Sequence, residues 1–98
     1  MESEEQINVG DLVVLRQHER YRQSYKPGAT MQIPVFTMEN GRASPYSSVD
    51  DGQIATVVDI TRIGETHPIM GRREVQMAEV MLPTGKRWWL IAERCCPA

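Results

Sequence analysis

VQMAEVMLPTGKRWWLI, residues 75–91, sets two apolar, β-prone runs on either side of Pro83-Thr84-Gly85-Lys86. An apolar run broken by a short glycine-bearing loop is the sequence form of a tight β-hairpin. Successive strand residues point to opposite faces, so Ala78, Val80 and Leu82 share one face while Val75, Met77, Glu79 and Met81 share the other. Past the turn, the same alternation separates Trp89 and Ile91 from Trp88 and Leu90. Both faces are therefore largely apolar. A sheet with one wet face alternates apolar and polar residues, so this hairpin calls for a second covering layer or a partner chain.

The chain has 98 residues, enough for one domain with a single modest core. With 41% apolar and 24% charged residues it has the composition of a folded protein. Eleven Lys and Arg stand against 13 Asp and Glu, a net charge of -2. Phosphate contacts supply most of the affinity of a general duplex-binding protein, and the basic surplus such a protein carries is missing here. The acidic arm at residues 1–6, MESEEQ, lacks the basic-then-apolar order of a signal peptide. No apolar stretch is long enough to span a bilayer, so no membrane partner is expected. Cys95 and Cys96 are adjacent, which is neither a metal-knuckle spacing nor a disulfide framework. They read as two plain thiols made in a reducing cytoplasm, because neighbours reach disulfide geometry with difficulty.

Upstream of the hairpin, the turn pair Gly10-Asp11 introduces the first strand, Leu12-Val13-Val14-Leu15. Residues 16–26, RQHERYRQSYK, form a loop with at most a helical turn, since Pro27-Gly28 ends any helix. In residues 31–46 the pair Asn40-Gly41 predicts a second hairpin, and Pro34 and Pro45 place its strands at a sheet edge or in a projecting excursion that decorates the core. Residues 53–61 are a strand with Ile54, Thr56, Val58 and Ile60 on one face. Residues 64–71, GETHPIMG, read as a loop bounded by glycines. After the last full strand, residues 92–95 suit one 3₁₀ turn, leaving residues 96–98 as a short closing strand or tail.

Catalytic candidates are few. His18 and His67 are isolated, and no zinc-protease, nucleophile-elbow, phosphate-loop or dinucleotide-binding pattern is present, so neither an enzyme nor a cofactor or metal site is expected. Asp50-Asp51 beside Gly52 reads as a turn rather than a cation site. The cluster Arg16, Arg20, Tyr21, Arg22, Tyr25 and Lys26 interleaves cations with rings, a pattern suited to phosphate contact with base stacking or to a partner protein.

Residues 10–15, GDLVVL, then 52–58, GQIATVV, and 78–89 with Thr84-Gly85-Lys86 and Trp89, resemble the small SH3-like barrels, including KOW-type modules, of bacteriophage virions. The matched segments cover about half of the chain, and their motifs are structural, so they speak to fold more than to function. Two features depart from the pattern: Ala55 stands where a second glycine is usual, and residues 16–52 form an insertion much longer than a normal first loop. The resemblance implies an all-β fold, a small SH3-like β-barrel over residues 7–98 whose long inserted first loop carries an extra β-hairpin. It further implies a non-enzymatic structural or assembly protein, made in the host cytoplasm and carried in the virion. Its partners would be capsid, neck, tail or baseplate subunits, or further copies of itself, with no small-molecule substrate. The alternative is a KOW-like nucleic-acid-binding module using residues 16–26. By the same resemblance Trp89 is the core aromatic of its strand. Trp88 then points outward with Met77, Met81 and Leu90 as the expected partner interface.

Overall fold

The computed structural model describes residues 7–22, 26–69 and 71–98. The central hairpin joins β5 (Gly71–Met81) to β6 (Arg87–Ile91) around the expected turn, with Met77 opposite Ile91 and Met81 opposite Arg87. The turn is closed by Leu82 N–H donating to the Lys86 carbonyl at 2.8 Å and Gly85 N–H to the Leu82 carbonyl at 2.8 Å. Gly85 sits at φ 92°, a conformation that is costly for a residue with a β-carbon.

Before it run β1 (Leu12–Leu15), a single helical turn α1 (Glu19–Arg22), β2 (Gln32–Glu39), β3 (Arg42–Asp50) and β4 (Ile54–His67). After it come a 3₁₀ turn, Ala92–Arg94, and the short β7 (Cys95–Pro97). All seven strands form one antiparallel sheet in the order β3-β2-β6-β5-β4-β1-β7. The ladder is open, with β3 and β7 as its edges.

The sheet is nevertheless strongly curled. Only residues 92–94 link β6 to β7, a span of at most about 14 Å. Four strand spacings separate those two strands along the ladder, about 19 Å if the sheet were flat. Curling encloses one face, and the core lies there: Val13 and Leu15 from β1, Ala55 and Val57 from β4, Ala78 and Val80 from β5, and Leu90 from β6. Ala92 and Cys95 close the end of it.

Three expectations need correction. Residues 64–67 and Gly71 are strand rather than loop. β4 and β5 stay paired out to His67 opposite Gly71, making a long arm laced by Arg73 to Glu65 at 2.8 Å and Arg62 to Glu74 at 3.7 Å. Glycine and glutamate are weak strand formers, but cross-strand charge pairs offset that along an exposed ribbon. The alternation expected for Ile54, Thr56, Val58 and Ile60 also fails. Val57 faces Val80 and Asp59 faces Glu79, leaving Val58 as the extra residue of a β-bulge. Core positions fall instead on Ala55, Val57 and Ile60, and Ile54 is 47% exposed.

The excursion is more than decoration. The Asn40-Gly41 turn forms as expected, with φ 53° and 77°, values near those of the two central positions of a type I′ turn. β3 takes the edge position expected of a proline strand, and β2 joins β6 only through Phe36 opposite Trp89. Ile33 and Val35 of β2 are both fully buried, and Ile33 belongs to the central core. The base of the excursion is tied by Gln17 N–H to Asp51 Oδ1 at 2.7 Å, Gly52 N–H to the Leu15 carbonyl at 2.7 Å and Asp51 N–H to the Met31 carbonyl at 2.9 Å.

Candidate functional site

Paired residues in an antiparallel ladder share a face, so the register decides what lies behind the core. On that second face, Phe36, Trp89 and Glu79 form one row across β2, β6 and β5. Ile91, Met77 and Thr61 form the next, and Val75 with Ile63 the third. This is the doubled apolar face of the hairpin. Met77 is only 2% exposed, so part of the second layer is already in place. Arg42 and Ala43 of the excursion share a cleft of about 310 Å³ with Ile63, Val75 and Met77, which identifies the tip of the β2–β3 hairpin as part of that layer.

A second cleft, of about 360 Å³, opens on the other side of Phe36 and Ile91. Its origin is local. Continuing the β2–β6 register past Phe36 and Trp89 would set Pro34 against Ile91, but proline has no N–H to extend a ladder, and the two strands bond no further. Gln32, Pro34 and Phe36 line one side of the gap, and Ile91 and Arg94 line the other. Gln17 and Tyr21 complete it. The Gln17 amide is spent within the fold, donating to the Gln32 carbonyl at 2.9 Å and accepting from His18 N–H at 2.8 Å. Among the described residues of the lining, Arg94 is then the one charged side chain. It is half-buried, and no carboxylate of the described residues pairs with it.

The expected interface residues do not share a surface. Met77 and Met81 lie on the second face, but Met77 is already covered within the chain, Leu90 pairs with Ala78 and is completely buried, and Trp88 pairs with Val80 on the core side. Trp88 is half-buried at the rim of the core, with its ring 5.3 Å from that of Tyr46. Trp89, expected in the core, lies on the second face beside Phe36. The assignment is displaced by one residue, which in a strand exchanges the faces.

Of the basic cluster, Arg16, Arg20, Tyr21 and Lys26 are exposed, and of these four Tyr21 alone reaches the cleft. The Arg16 N–H donates to the Arg94 carbonyl at 2.8 Å, which brings the loop against the 3₁₀ turn. The Arg22 side chain and Tyr25 lie outside the described residues. His18 serves the single helical turn as its cap, Nδ1 accepting from Arg20 N–H at 3.0 Å. Asp50 accepts from the Gln32 amide and Asp51 from Gln17, so both act as turn and tie residues. Among the described residues no three His, Cys, Asp or Glu side chains gather as a metal set. Cys95 is buried and Cys96 half-buried, both as free thiols, and burial followed by the neighbouring Cys96 pushes the Cys95 thiol up to about 12.

No family model matches the chain, and no curated protein or solved structure matches it. Sequence reasoning missed Phe36, Ile91, Pro34 and Arg94. Only the proline carried a usable signal, as a place where pairing must stop.

Proposed function

We propose that the protein is a non-enzymatic structural or assembly component of a bacteriophage virion, an SH3-like barrel that docks on a neighbouring capsid, neck, tail or baseplate subunit through the second face of its sheet. The observation that carries this reading is the pair of apolar clefts flanking Phe36 and Ile91, on the face opposite the core. A concave apolar surface with few polar groups is suited to holding a partner's side chains. The barrel reading is supported by the 3₁₀ connection from β6 to β7 and by β7 lying against β1, which together bring the β7 edge round toward β6.

Fractionation of purified particles tests it. The chain is expected to co-sediment with intact virions at a fixed ratio to the major capsid protein and to survive a high-salt wash. A chain that stays in the soluble fraction while particles sediment overturns the reading.

A KOW-like nucleic-acid function is the second reading, favoured by the meeting of Tyr21 and Arg94 on one cleft with exposed Arg16 close by. Binding of that kind falls steeply with salt. The expected result is no such complex at physiological salt, and a tight, salt-sensitive one abolished by substituting Arg16, Arg20, Arg22 and Lys26 would reverse the order.

A further inference from the structure

We propose that the cleft beside Arg94 receives an extended acidic segment of the partner protein. One apolar side chain seats against Pro34, Phe36 and Ile91, and a neighbouring carboxylate pairs with the Arg94 guanidinium. The inference rests on the docking reading above and names the chemistry of the partner.

Charge complementarity carries it. Arg94 is half-buried beside apolar walls, where a carboxylate brought to it is screened less than one in open water. No carboxylate of the described residues meets it, and no acid stands among the described residues of the lining. The guanidinium presents a planar fork that matches a carboxylate through two parallel hydrogen bonds. At about 360 Å³ the cleft lies near the lower end of the roughly 300–1,000 Å³ of ligand sites, a size for one or two side chains rather than a cofactor.

A peptide fits this surface better than a nucleic acid. Single-strand sites track a backbone with a row of cations and stack successive bases on rings. Here, among the described residues of the lining, a single cation stands beside two glutamines, an aliphatic residue, a proline and two rings, which is no row of cations. The gap between β2 and β6, where the ladder stops at Phe36, gives the segment an extended course.

The test pans a random octapeptide library against the immobilised full chain. Enriched peptides are expected to carry Asp or Glu within two residues of Leu, Ile, Phe or Trp. The tightest of them, made synthetically, should bind Arg94→Gln roughly 10-fold or more weakly, as loss of a charge-assisted hydrogen bond does. Arg94→Lys should recover part of that loss. Changing the peptide's acid to its amide should cost the wild type the same factor and Arg94→Gln little further, which isolates the pair even if the variant is destabilised. Enriched peptides without an acid, no enrichment over bare beads, equal binding by Arg94→Gln, or displacement of the peptide by a twelve-residue oligothymidine would each overturn the proposal. Virions that retain the wild-type chain while panning fails leave the docking reading standing and remove this one. A chain absent from particles removes the virion reading, whatever peptides it selects.

Discussion

Leu90→Ala should destabilise the protein more than Trp89→Ala, although the tryptophan is the larger side chain. Leu90 has no exposed surface and sits opposite Ala78, with Ala55 and Ala92 in the same core. Truncating a buried leucine costs about 2–5 kcal/mol, depending on how far the surroundings can collapse into the space. Neighbouring alanines have no side-chain length with which to fill it, so about 3–4 kcal/mol is expected. At about 4–8 °C per kcal/mol for a domain of this size, the melting temperature should fall by roughly 12–30 °C. Trp89 keeps part of its ring in water on the second face, so about half the 3–5 kcal/mol of a core tryptophan, near 2 kcal/mol, should be lost. Urea and thermal melts followed by far-UV circular dichroism, a signal that does not depend on the tryptophans, measure both. A Trp89→Ala cost equal to or above that of Leu90→Ala would show that the register is shifted by one residue and that the faces described here are exchanged.

Ile33→Ala should cost about 2–5 kcal/mol in the same melts, because Ile33 is fully buried in the central core, and a cost under about 0.5 kcal/mol would make the excursion an appendage after all. Gly85→Val should cost about 1–3 kcal/mol through backbone strain alone, since a β-carbon there meets nothing within 4 Å while φ is 92°. An unchanged melting temperature would place the turn elsewhere. Cys95 carries a thiol raised from 9.0 to about 12, so the folded state holds its proton more tightly than the unfolded state does. The contribution to stability is complete below pH 9 and is lost as pH rises from 9 towards 12, at up to about 1.4 kcal/mol per pH unit. Melts of the wild type and Cys95→Ala across that range should converge as pH rises, and parallel curves would mean that the thiol is not held in its neutral form.

The all-β character was legible in local sequence because its causes are local. Gly85 and Asn40-Gly41 each supply positive φ where a tight turn needs it, and both turns form where they were expected. β-Branched runs became strands, and residues 92–94 tightened into a 3₁₀ turn ahead of a closing strand at 95–97. Tertiary structure alone decided which face of each strand is the core. A hairpin apolar on both sides satisfies the period-two pattern in either register, so residues 75–91 could not say whether Trp89 or Leu90 lies inside. The Val58 bulge inserts one residue and reverses the parity of everything after it, and nothing in a run of Ala, Thr, Val and Ile marks where that happens. The cleft is more remote still from sequence. It exists because Phe36 meets Trp89 across the sheet, because Pro34 halts the ladder beside it, and because the 3₁₀ turn brings Arg94 to the same gap. Each of those four residues is ordinary in its own segment, and only long-range pairing places them together.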